Sequence, residues 1–199
     1  MTIAGRGLAL LMLCALAACG DGEDGEDGTG FDELEARSDG LLNEVEDLSY
    51  TDPSSLPTTG AATYEGVVGL NFEAVPDHTL QGYDMAGVLE LTVNFAGAGD
   101  QITGSADNFV GLDGEEFSGA LIVDDGRIDR SANLDTEYTY GAEMAGELTA
   151  ADGTGWTVDT ALDGDFAGRD HSHAFGDVTC SACTDSACTE VEGGFVAER

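Results

Sequence analysis

The densest chemistry in this chain lies in one stretch, Arg169 to Glu190, which reads RDHSHAFGDVTCSACTDSACTE. It holds His171 and His173, two of the three histidines, and Cys180, Cys183 and Cys188, three of the five cysteines. Two residues apart on an extended backbone, His171 and His173 face the same way. With Cys180-x-x-Cys183 they supply donor types that suit zinc. Thr184, not histidine, follows that pair, so covalent haem attachment is not indicated. In an oxidising compartment the same cysteines form a structural staple instead, and that is the preferred reading. Cys180 with Cys188 is the pairing taken here. Cys183 with Cys188 also closes a comfortable ring, and Cys180 with Cys183 a tighter one. One cysteine is left over in each case, available to a partner or a metal.

Signs of catalysis are few. There is no Gly-x-Ser-x-Gly, no His-Glu-x-x-His and no phosphate-binding glycine loop. Carboxylates are so abundant that pairs of them carry no information. His78 stands alone among polar residues and reads as solvated. The expectation is a protein that is not an enzyme, with no cofactor and no resident metal.

The other chemically informative residue is Cys19. Met1 to Ala18 carries one positive charge, Arg6, then an apolar run from Leu8 to Ala18 that ends in small residues. That is a secretory signal peptide, too short to span a bilayer. Leu16-Ala17-Ala18-Cys19 resembles the lipobox of bacterial lipoproteins. The resemblance implies cleavage before Cys19 and diacylation of its thiol, leaving a body on a lipid anchor. Gly20 follows, where an aspartate would signal inner-membrane retention, so the expected location is the outer membrane, facing either way.

Charge narrows the partners. The chain has 40 acidic residues against 6 arginines and no lysine, a net charge of −34. Loss of Arg6 with the signal peptide makes the mature chain more negative still. Such a field repels nucleic acid and anionic headgroups. It suits a basic partner or cations, and equally the hydration of an exported protein in salt.

The elements that must position these residues follow in order. Residues 19–30, with GDGEDGEDGTG from Gly20 to Gly30, have nothing to bury and read as a self-repelling tether. The spacing there fits no calcium-loop motif. From Phe31 to Tyr50 the apolar residues Phe31, Leu34, Leu41, Leu42, Val45 and Leu48 recur at helical steps. Thr29 or Gly30 is the expected cap, and Gly40 the weak point of the helix. Its expected role is to pack on the body or plug one end of it. Pro53 and Pro57 then end the helical region.

Residues 57–199 alternate with period two, broken repeatedly by Gly, Asp and Asn. Tyr64, Gly66, Val68, Leu70 and Phe72 share one face, and Leu89, Leu91, Val93 and Phe95 another. A third strand runs near Gln101 to Val110, and a fourth has Phe117, Leu121 and Val123 inward. Asp124-Asp125-Gly126 is a hairpin signal leading to a fifth, with Ile128, Ala132 and Leu134. Tyr140, Met144 and Leu148 mark a sixth, Trp156, Val158 and Leu162 a seventh, and Val191, Phe195 and Ala197 the last. The Arg169–Glu190 stretch reads as a long loop delaying that last strand. Inward Gly66, Gly119, Gly146 and Gly193 relieve crowding at bends. The expected fold is all-β, a single eight-stranded antiparallel up-and-down barrel. Glu65, Glu90, Glu143, Glu147 and Asp159 on the outer register make it a soluble barrel, not a lipid-spanning one.

Leu56 to Leu70, LPTTGAATYEGVVGL, resembles the opening of the barrel domain in transferrin-binding protein B-like surface lipoproteins. Leu91-Thr92-Val93-Asn94-Phe95 with Gln101-Ile102-Thr103-Gly104 is similar to that family's strand pair, and Gly193 to Arg199 to its closing strand. The resemblance implies a lipid-anchored barrel that binds host or environmental molecules, often in iron acquisition. The single barrel makes transferrin itself a doubtful ligand, and no ligand-contact residue carries over. The expected function is therefore a binding module for an iron source, another solute or a protein. The alternatives are a structural envelope lipoprotein and a periplasmic metal handler working through the His171–Cys188 stretch.

Overall fold

The structure is a computed structural model. It describes residues 30–71, 83–97, 99–183 and 188–199, with 180–183 and 188–191 described by backbone alone. The expected signal peptide, Cys19, the expected tether up to Thr29, Phe72 and His78 lie outside the described residues.

Helix α1 spans Phe31–Glu46, and eight strands follow it: β1 Ala61–Asn71, β2 Met85–Asn94, β3 Ile102–Gly111, β4 Glu116–Ile128, β5 Tyr140–Thr149, β6 Gly155–Ala167, β7 His173–Cys183 and β8 Cys188–Glu198. Each strand pairs antiparallel with the next, and β1 pairs with β8, so the sheet closes into a barrel. The period-two pattern dictates the lining. Tyr64, Val68, Leu89, Leu91, Leu121, Met144, Val158, Leu162 and Phe195 all lie in one buried cluster inside the wall. Glu65, Glu90, Glu143, Glu147 and Asp159 stand exposed on the outer wall, where hydrocarbon would not solvate them.

Closure depends on close approach at the β1–β8 seam. A Cβ on Gly66 would meet the Val196 carbonyl oxygen at 2.0 Å, and one on Gly193 the Gly69 carbonyl oxygen at 2.1 Å. The inward glycines thus sit where neighbouring strands crowd.

Two features differ from the sequence expectation, and they offset each other in the strand count. Asp124-Asp125-Gly126 is no hairpin: β4 runs through it, with Asp125 at φ 51° and a register shift between Asp124 and Arg127. The triplet forms a β-bulge, which bends a strand without ending it. Gly126 is pressed against Ile102, which a turn projecting into solvent would not allow. Residues 129–139 accordingly form a loop, so Ala132 and Leu134 belong to no strand. Arg130 secures that loop by donating to the carbonyls of Leu56, Pro57 and Phe95 at 2.6–3.0 Å. The missing strand is β7, inside the stretch read as a loop. Ala174 and Val178 face the core from it, and it pairs along its length with β6 and β8.

The helix packs on the outside of the wall instead of plugging an end. Phe31 and Leu34 cover Val67, Tyr83, Ala86 and Val110, while Leu41 and Val45 cover Ala167 and Val196. In β1 the in–out alternation gives way to continuous burial from Gly66 to Leu70. Outward Val67 is apolar because the helix lies over it. Gly40 does not break the helix, which ends at Glu46, short of Tyr50. Gly30 is the cap residue and supplies no side-chain hydrogen bond.

Candidate functional site

The end of the barrel formed by the β3–β4 and β5–β6 hairpins carries a cavity of ≈ 690 Å³. Turn chemistry builds its rim. In the first hairpin Gly114 adopts φ 82° and the Asp113 carboxylate accepts from the Glu115 N–H at 3.1 Å. In the second, Gly153 adopts φ 89° and Asp152 accepts from the Thr154 N–H at 2.8 Å. Those bonds to Thr154 hold the Asp152 carboxyl below its ordinary range, so it stays ionised. The tight first turn pushes Leu112 outward until it is 63% exposed, a large apolar side chain in open view beside the cavity.

Met85, Leu112, Phe117, Ala150 and Trp156 supply an apolar floor and wall. Asp84, Asp113, Glu115 and Asp152 supply a negative rim, and among the described residues no cationic one lines the space. Small-molecule sites typically enclose about 300–1,000 Å³ with few polar groups on apolar walls. This geometry favours an apolar body carrying a positive charge, held by burial below and by carboxylates above.

The histidines and cysteines are not brought into one centre. His171 lies in the turn before β7, and its ring packs edge-on against Phe95 at 4.8 Å. Its carbonyl accepts from the buried Tyr64 hydroxyl at 2.8 Å, and its Nε2 faces the Arg199 guanidinium at 3.2 Å. Burial first, then Arg199, lowers its pKa, so the ring is a neutral acceptor. His173 begins β7 and turns instead toward Glu44 of α1. His173 and Cys180 are seven residues apart on one strand, about 23 Å at the usual rise. Across the β7–β8 hairpin the backbone register sets Cys183 opposite Cys188, and Cys180 opposite Val191.

Sequence reasoning placed Trp156 on an inward face but missed the mouth. The available signal was Leu112, an apolar residue inside a Gly-x-Asp-Gly turn where no strand pattern requires one. Glu44 and Glu198 were missed because single acids among so many carry no signal. No family model, curated protein or solved structure matches the chain.

Proposed function

We propose that this chain is a lipid-anchored envelope lipoprotein of the transferrin-binding protein B-like type, working as a binding module that takes an amphipathic cation at its barrel mouth. The observation that carries the reading is the ≈ 690 Å³ cavity, apolar within and carboxylate-rimmed. Three further features support it. Leu16-Ala17-Ala18-Cys19 fits lipidation at Cys19, Gly20 fits export to the outer membrane, and the closed eight-stranded barrel is the architecture that the resemblance implies. A net charge of −34 draws cations toward the mouth and repels nucleic acid.

The chain has one tryptophan, Trp156, and it lines the cavity, so its fluorescence reads occupancy directly. Decyltrimethylammonium, below its micelle concentration, is expected to change that fluorescence saturably, whereas decyl sulfate is not. Leu112→Asn is expected to weaken the response about tenfold, equivalent to roughly 1.4 kcal/mol. Native and denaturing mass spectra of protein purified from its own membrane then identify the lipid on Cys19 and any carried ligand. A flat titration together with no releasable mass would overturn the binding reading in favour of a structural envelope role.

A further inference from the structure

A second constellation lies at the opposite end of the barrel. Register aligns Glu90, Glu65, Glu198 and His173 in one row across β2, β1, β8 and β7. Three carboxylates directly opposite one another on adjacent strands repel. Above the row runs the last turn of α1, which carries Glu44, Glu46 and the cap residue Asp47 and no basic residue of its own. The helix dipole makes that end negative already. The fold has therefore concentrated negative charge at one spot, a field that favours a cation there.

His173 is the unusual member. It is 7% exposed, and its Nε2 is sealed from solvent without a hydrogen-bond partner. That nitrogen lies 3.4 Å from the Glu44 Oε2. Glu44, His173 and Glu198 each present a ligand atom, all within 4.8 Å of one another. On the other side of the ring Nδ1 lies 2.9 Å from the Ser172 hydroxyl, a contact that fixes the ring's orientation. Nε2, buried and without a hydrogen-bond partner, thus faces a carboxylate at a spacing that a cation held by both groups would fit.

We propose that Glu44, His173 and Glu198 form a zinc-class divalent metal site that ties α1 to the β7–β8 end of the barrel. One imidazole and two carboxylates are borderline donors that suit zinc, and the nitrogen disfavours calcium and magnesium. Bonds of about 2.0–2.1 Å to tetrahedral zinc set neighbouring donors roughly 3.3 Å apart, against the observed 3.4 Å between His173 and Glu44. The Ser172 contact orients the imidazole, as outer-shell partners do in metal centres. Glu44 is 63% exposed in its side chain, so an ion reaches the site from solvent and the fourth position falls to water. The site shares no residue with the mouth cavity, and its test is independent of the ligand reading. Asp124, Asp125 and Glu143 also come within 4.8 Å of one another, but all three are exposed and no imidazole joins them, which makes them the natural control.

The test is calorimetric titration of the full chain with zinc chloride in excess calcium chloride, which saturates carboxylate-only binding. One saturable equivalent is expected, with affinity reduced about tenfold or more in His173→Ala and in Glu198→Gln. Asp124→Asn with Glu143→Gln is expected to leave it unchanged. Should His173→Ala fail to fold, Glu44→Gln on an exposed side chain decides the matter by the same loss. Cobalt in place of zinc is expected to absorb without a thiolate charge-transfer band. Unaltered zinc affinity in folded His173→Ala, no saturable equivalent, or a thiolate band would each overturn the proposal.

Discussion

The Tyr64 hydroxyl, inside the barrel on β1, donates to the main-chain carbonyl of His171 at 2.8 Å, across 107 residues of chain. This bond links the wall to the turn that covers one end of the barrel. The turn needs such an anchor. Asp170 and His171 both adopt positive φ, 57° and 50°, in the left-handed region that ordinary residues occupy at a cost. The His171 ring, packed against Phe95 and Phe166, completes the cover.

Tyr64→Phe keeps the ring in the core and removes only the donor. Leaving a buried carbonyl unpaired typically costs about 1–3 kcal/mol. The expected result is a lower Tm of that order, with faster amide exchange in residues 168–173 and little change near the mouth. Equal acceleration throughout the barrel would show that the turn is not separately anchored.

Stability should depend on pH through His171. Its pKa in the folded protein lies below the ordinary 6.5, mainly through burial and then through Arg199. Between the two pKa values the unfolded chain binds more protons, so this residue's contribution is lost as pH falls below about 6.5 and through the folded pKa. Protonating carboxylates shifts the background in the same experiment, so the informative quantity is a difference. The Tm gap between wild type and His171→Gln should narrow from pH 7.5 to pH 5. A constant gap would contradict the assignment.

Glycine substitutions should separate two physical situations. At Gly66 an added side chain meets the Val196 carbonyl oxygen at 2.0 Å, across the closing seam. Gly66→Val should destabilise by about 1–3 kcal/mol or more, or prevent closure. At Gly40, inside α1, an added Cβ meets nothing within 4 Å. Gly40→Ala should stabilise by roughly 0.5–1 kcal/mol. Thermal melts of the two variants should move in opposite directions.

Leu34 is fully buried between α1 and the outer wall. Leu34→Ala should cost about 2–5 kcal/mol if the helix is part of the cooperative unit. Two-step denaturation, with helix loss preceding barrel loss, would mean that the barrel folds without it.

What the sequence determined by itself was local and periodic. Alternation at Ala62–Gly66 and Leu89–Phe95, the helical stripe from Phe31 and the Gly/Asp turns require only near neighbours, and they were enough for an all-β antiparallel barrel behind one helix, though not for which segments form its eight strands. Tertiary structure decided the rest, because each remaining question depended on a distant partner. Asp124-Asp125-Gly126 has the composition of a hairpin turn and becomes a bulge because β3 and β5 flank it on both sides. His173 to Cys183 carries only a sparse apolar alternation, in Ala174 and Val178, and becomes β7 because β6 and β8 supply edges for it to pair with. His171 and His173 are neighbours in sequence and part ways in space, one closing the barrel end under Tyr64 and the other facing Glu44. No period or spacing links Glu44, His173 and Glu198: a helix, the start of one strand and the end of another meet there only because the barrel closes and the helix packs across its seam.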